Sequence, residues 1–166
     1  MPDKKERSNS REKVTNLLWT GGWDSTFRLL QLLFQERKVV QPHYVITPQE
    51  CTGKEITTIN NIRRKLAREH PEVKELLLPV KYPNIDLIER YEDIRKGYEH
   101  IKESIYISPQ YVWFARYCNE YNLNLEIGIE KGARSHEMLE DFVRENTDSV
   151  FEVEKKRAPE SFYEIF

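Results

Sequence analysis

The chain has 166 residues, 33% charged and 39% hydrophobic, with a formal net charge of −2. This is the balance of a soluble globular protein with one real core. It gives no overall charge to attract nucleic acid or an acidic membrane, and neither is an expected partner.

Residues 1–13, MPDKKERSNSREK, are polar and lack an apolar signal-peptide core; they are expected to be a disordered N-terminus. Val14 to Trp19 is a short apolar run, which predicts a strand covered on both faces. From Ser25 the apolar spacing changes to that of a helix, through Phe27, Leu29, Leu30, Leu32, Leu33 and Phe34. A second strand is expected at Tyr44–Thr47. Residues 54–70 predict an amphipathic helix with Ile56, Ile59, Ile62 and Leu66 on one stripe, and Pro71 follows it. ELLLPV, 75–80, reads as a third strand. Ile88, Tyr91, Ile94, Tyr98, Ile101 and Ile105 predict one long amphipathic helix over 84–105, with Gly97 as a candidate break. Ser108 and Pro109 read as an N-cap and first position of a helix over 110–121. A fourth strand is expected at 123–129, a helix capped by Ser135 at 136–146, and a weak fifth strand at 149–154.

Alternation of strand and helix predicts an α/β fold with a mostly parallel sheet of about five strands between helical layers. The domain is expected to span 14–157. Residues 158–166 form an apolar tail, expected either to pack on a partner or to mark a truncation point. No apolar run is long enough to cross a membrane. Cys51 and Cys118 form no C-x-x-C pair, which points to free thiols and a cytoplasmic setting rather than to a zinc site.

The first strand and first helix are joined by Thr20-Gly21-Gly22-Trp23-Asp24-Ser25-Thr26. Adjacent glycines let a backbone turn sharply and approach a ligand closely. Successive N–H groups in such a turn make an anion nest, and the following helix adds the positive end of its dipole. Hydroxyls of Thr20, Ser25 and Thr26 add donors. The competing reading is a glycine turn that caps a buried helix through Asp24 or Ser25. No G-x-x-x-x-G-K-S/T or G-x-G-x-x-G pattern occurs, so neither a Walker A loop nor a dinucleotide fingerprint is present.

Thr20-Gly21-Gly22-Trp23-Asp24-Ser25 resembles the S-G-G-x-D-S loop of the PP-loop, or N-type, ATP pyrophosphatases, with Thr in place of the first Ser. The chain is nearest in look to the 7-cyano-7-deazaguanine synthase branch, although it lacks that branch's zinc-binding cysteine cluster. The resemblance implies a HUP-like, three-layer α/β/α fold with strand order 3-2-1-4-5. It implies that ATP is cleaved between its α and β phosphates, that an acceptor takes AMP, and that the loop holds the leaving pyrophosphate. Thr20, Gly21, Gly22, Trp23, Ser25 and Thr26 would line that site. Asp24 would act through Mg²⁺ or by fixing the loop. Ile46 and Thr47 would contact adenine through their main chain.

Ligands of open parallel sheets lie where the strand order reverses. The loop after the fourth strand, with Lys131, Gly132, Arg134, Ser135 and His136, is therefore expected to face the site. Lys131 and Arg134 are candidates to steady the leaving charge. Arg28, one helical turn past Ser25, is a candidate phosphate contact. His136-Glu137 is no H-E-x-x-H metal motif, because Glu140 stands where the second histidine belongs. His43, His70 and His100 have no partners at ligand spacing. The aromatic residues of 104–117 read as core or as a pocket wall.

The expected function is an ATP-dependent adenylating synthase or ligase that acts on an unknown small-molecule or nucleobase-like substrate. The alternative is a non-catalytic nucleotide-binding or oligomerising module, with a homo-oligomer as the candidate assembly.

Overall fold

The computed structural model describes residues 14–48, 50–104 and 106–128. Three apolar residues in succession, Leu17, Leu18 and Trp19, must bury side chains on both faces of a strand. The first strand, β1 (Thr15–Leu18), does so as the middle member of a parallel sheet. Its neighbours are β2 (Val40–His43) and β3 (Leu125–Glu126), so the order is β2-β1-β3. The fold is α/β with a small open parallel sheet. Three strands form it among the described residues, against the five expected from the alternation.

Leu17, Trp19, Val40 and Tyr44 point to one face. Against them pack Leu29 and Leu30 of helix α1 (Trp23–Leu30), and Leu32 and Leu33 of the π-helical turn that extends it over Gln31–Gln35. Helix α2 (Thr52–Glu69) adds the stripe of Ile59, Ile62 and Leu66, with Ile56 at its margin, as the sequence spacing predicts. The opposite face carries Leu18 and Val45. These bury against Ile85, Ile88 and Tyr117, the last on helix α4 (Gln110–Tyr121). Full burial of a large apolar side chain stabilises by about 2–3 kcal/mol, provided that its polar atom finds a partner. Trp19 meets that condition: its indole N–H donates to Thr26 Oγ1 at 2.9 Å, and both residues are fully buried.

The second strand lies four residues earlier than expected, at 40–43 instead of 44–47. Proline inside a strand usually forbids it, because its missing N–H breaks a ladder. Here the nitrogen of Pro42 faces the outer edge of β2, where the ladder is already irregular. Leu78 N–H donates to Val40 O and Lys81 N–H to Pro42 O, so the outer segment gains one residue between these bonds. The Gln41 side chain donates to Pro79 O at 2.6 Å and satisfies a carbonyl inside that bulge. The expected third strand at 75–80 is thereby reduced to isolated parallel bridges at Leu77, Lys81 and Asn84.

The single helix expected over 84–105 is two elements. A 3₁₀ turn spans Ile85–Leu87, capped by the Asn84 side chain, and helix α3 spans Glu92–Ser104. Gly97 lies inside α3 and does not break it. Between the elements Tyr91 adopts φ 39°. The break is held from a distance: the Arg116 guanidinium of α4 donates to the carbonyls of Ile85 (3.2 Å), Ile88 and Glu89 (2.8 Å). Arg116→Met is expected to lose about 2 kcal/mol, since hydrogen bonds from a charged donor are worth about 1.5–3 kcal/mol. Arg116→Lys should recover little, because one ammonium cannot reproduce the planar fork. Chemical denaturation midpoints read both.

Two helix starts also differ from expectation. Helix α1 begins at Trp23 with Gly22 as N-cap, and α4 begins at Gln110 with Pro109, not Ser108, at the cap position. Asn122 ends α4 in the left-handed conformation, φ 47°, which asparagine tolerates. No helix among the described residues is long and apolar enough to cross a membrane. The expected N-terminus 1–13, helix 136–146, fifth strand and tail 158–166 lie outside the described residues.

Candidate functional site

The chain leaves β1 for β2, continues outward to the 77–84 segment, and returns to the other side of β1 as β3. The strand order therefore reverses between β1 and β3, at the carboxyl end of β1. The residues at that end are Thr20, Gly21 and Gly22, followed by the first turn of α1. Gly128, just past β3, runs beside that turn: a Cβ on it would lie 3.5 Å from the main chain of Asp24 and Ser25.

Gly21 has φ 76°, a conformation costly for any side chain. It also packs against α2, where a Cβ would lie 3.1 Å from Ile59 Cγ1 and 3.4 Å from Glu55 O. Glu55 is itself fixed, accepting from the Tyr44 hydroxyl at 2.6 Å. Burial, and then the Glu55 carboxylate, push the Tyr44 phenol above its ordinary pKa. The loop thus rests on α2, which is anchored to the residue after β2. Sequence reading missed this support, and its only sequence signal is Ile59 on the apolar stripe.

Within the loop the hydroxyls converge. Thr20 Oγ1 and Ser25 Oγ are 3.2 Å apart; Ser25 Oγ donates to Gly22 O at 3.3 Å, and Thr20 N–H reaches Ser25 Oγ at 3.3 Å. Gly22 N–H meets Thr20 Oγ1 only at 3.4 Å. These bonds are long, and a stronger acceptor would compete with them. The N-cap residue of α1 is Gly22, which has no side chain with which to cap it. Neither Asp24 nor Ser25 acts as the N-cap that a structural turn would use. Asp24 is exposed in the first turn. Ser25 and Thr26 are buried, Thr26 as the acceptor for Trp19. The arrangement presents backbone donors, two hydroxyls and a helix dipole to an anion, with one carboxylate at the rim.

Comparison of the chain with protein-family models, with curated proteins and with solved structures finds no match.

The structure places other candidates differently. Arg28 turns to Glu36, at 2.5 Å, and to Glu126 of β3. Burial opposes its charge, but the two carboxylates outweigh this and hold the guanidinium above its ordinary pKa. Arg28, the candidate phosphate contact, thereby ties α1 to β3. Ile46 N–H donates to Pro83 O at 2.7 Å and Ile46 O accepts from Ile85 N–H at 3.0 Å. Thr47 O accepts from the Thr52 hydroxyl at 3.0 Å. The main chain expected to read adenine is therefore largely engaged by the protein. Lys131, Gly132, Arg134, Ser135 and His136 lie outside the described residues. Among those described, no group of three His, Cys, Asp or Glu could hold a metal ion, and Cys51 and Cys118 form no disulfide.

His43, which has no partner at ligand spacing in the sequence, is fully buried between Tyr117 Oη, at 2.7 Å from Nδ1, and Asn16 Oδ1, at 3.0 Å from Nε2. It joins β1, β2 and α4 in one network on the face away from α1.

Proposed function

We propose that residues 20–26 bind the pyrophosphate part of ATP, and that the chain acts as an ATP pyrophosphatase-type synthase or ligase. An acceptor oxygen would attack the α phosphate, AMP would pass to the acceptor, and the loop would hold the departing pyrophosphate. The observation that carries the reading is the start of α1, with glycine at its N-cap behind a Gly-Gly turn, at the reversal point of the parallel sheet among the described residues. The order of the 77–84 segment, β2, β1 and β3 is compatible with the 3-2-1-4 part of the family's five-stranded, three-layer sheet.

A single exposed carboxylate suits Mg²⁺, which keeps most of its waters and is commonly held by one or two carboxylates and by substrate phosphates. Asp24 would hold it, and the ion would neutralise phosphate charge that Asp24 alone would repel. Lys131 and Arg134 remain the candidate cations for the leaving group. Because Arg28 is tied to Glu36 and Glu126, the non-catalytic nucleotide-binding module stays as a second reading. It keeps the same loop without the transfer.

Calorimetric titration with inorganic pyrophosphate tests the binding common to both. Wild type is expected to bind it with Mg²⁺ and at least tenfold more weakly without, about 1.4 kcal/mol. Asp24→Asn should lose that Mg²⁺ dependence, and its metal-free affinity should exceed wild type's because a repelling charge is gone. Absence of saturable binding at millimolar pyrophosphate, in a folded protein, would reject the reading.

A further inference from the structure

The main chain just past β2 is committed within the protein. Ile46 N–H donates to Pro83 O, and the carbonyls of Ile46 and Thr47 each accept a bond. A nucleotide whose phosphates sit in the loop needs other polar contacts on this side of it.

Glu55 stands there. It lies in the first turn of α2, half-buried, and its carbonyl is one of the atoms that a Cβ on Gly21 would meet, at 3.4 Å. The Tyr44 hydroxyl donates to its Oε2 at 2.6 Å and orients the carboxylate. A carboxylate has about four acceptor positions, so this bond leaves capacity for a ligand. Tyr82 adds an independent signal. Tyr44 N–H donates to Lys81 O at 2.9 Å, which sets the two tyrosines side by side, with ring centroids 6.1 Å apart. The Tyr82 hydroxyl is buried and has no hydrogen-bond partner among the described residues. Buried hydroxyls are nearly always paired, so this one calls for a partner from outside the chain. Glu55 repels phosphate, but neutral hydroxyls suit it. A carboxylate that accepts and a phenol that donates or accepts are together a match for a pair of sugar hydroxyls.

We propose that Glu55 and Tyr82 hold the sugar hydroxyls of the bound nucleotide, with Glu55 as the acceptor and Tyr82 as the second partner. The proposal rests on the phosphate-loop reading and gives the loop a neighbouring site that selects a ribonucleotide.

The test measures affinities for ATP, 2′,3′-dideoxy-ATP and inorganic pyrophosphate, with Mg²⁺, in wild type, Glu55→Gln and Tyr82→Phe. Wild type should bind ATP at least about tenfold more tightly than the dideoxy nucleotide, the scale of a hydrogen bond to a charged group. Glu55→Gln keeps an acceptor for Tyr44 but removes the charge. Neutral hydrogen bonds are about half as strong, so the ratio should fall to about threefold. Tyr82→Phe should also lower the ratio, and it should melt no lower than wild type because an unpaired hydroxyl is gone. Pyrophosphate affinity should be unchanged in both variants. Equal binding of ATP and the dideoxy nucleotide by wild type overturns the proposal while the loop reading stands. A ratio unchanged in either variant also overturns it; for Tyr82 a water would then be the partner. A loss of pyrophosphate affinity in Glu55→Gln overturns it too, because the carboxylate would then act on the metal or the phosphates. If pyrophosphate fails to bind wild type, the loop reading falls and the sugar site with it.

Discussion

Wild-type protein is expected to lose roughly 3 kcal/mol of stability as pH falls from 6.5 toward 4, by an amount that His43→Gln does not share. Burial, with the Lys81 charge adding to it, lowers the His43 pKa from its ordinary 6.5 to about 4. The Asn16 amide oxygen facing Nε2 places the ring proton there, so Nδ1 accepts from the Tyr117 hydroxyl. Tyr117 remains a donor, because burial, with Tyr121 and Cys118 nearby, raises its phenol to about 12. A second ring proton would turn Nδ1 into a donor opposite another donor. Below pH 6.5 the unfolded chain binds that proton and the folded chain refuses it. Stability is therefore complete above 6.5 and declines at about 1.4 kcal/mol per pH unit down to about 4. His43→Gln should start lower, because a buried partner is left unpaired at a cost of about 1–3 kcal/mol. Its curve should be flatter over the same interval. The difference between the two denaturation curves isolates His43 from the carboxylates, which titrate in both proteins. Parallel curves would mean that His43 takes up its proton in the folded state without penalty.

Much of the fold was legible where local chemistry decides it. The Ile59, Ile62 and Leu66 stripe of α2 and the strand–glycine–helix succession at 15–30 follow from spacing alone. The misplacements share one cause, partners distant in sequence. Proline is disfavoured inside a strand, and only the fold reveals that the missing N–H of Pro42 faces an irregular edge. Ile85, Ile88 and Tyr91 have helical spacing, yet Arg116, some thirty positions away in the chain, satisfies the turn's carbonyls and lets the chain break there. Periodicity records which side chains are buried and not which donor serves the backbone between them.

The same limit divides the candidate site. Glycine pairing and hydroxyl content marked the loop, since those residue types act through their own backbone or a short side chain close to it. Arg28 has sequence neighbours that suggest a phosphate, while its ion-pair partner Glu126 is 98 positions away and invisible to local reading. His43 has no ligand-like spacing, and its partners are 27 and 74 residues distant. Gly128 is legible only in part. A glycine closing an apolar strand signals a close backbone approach, without naming Asp24 and Ser25 as what it approaches.

The two glycines of the loop should respond differently to a methyl group, and the difference separates a structural turn from a binding loop. Gly21→Ala is expected to destabilise by about 3 kcal/mol. About 1–2 kcal/mol comes from holding alanine at φ 76°. The remainder, about 1–2 kcal/mol, comes from driving a Cβ to 3.1 Å from Ile59 Cγ1, in a fully buried residue that cannot retreat freely. Gly22 has φ −72°, which alanine adopts without strain, and its nearest neighbour is Thr20 Oγ1 at 3.3 Å. Gly22→Ala should therefore cost under about 1 kcal/mol of stability, the difference between glycine and alanine at an N-cap. Its methyl group would crowd the Thr20 hydroxyl and, on the proposed reading, stand in the path of a phosphate oxygen. Pyrophosphate affinity should fall about tenfold, or about 1.4 kcal/mol, in a protein that melts near the wild-type temperature. If Gly22→Ala binds pyrophosphate as wild type does, the second glycine serves only the turn. The adjacent pair would then reflect packing against α2 and not the approach of a ligand.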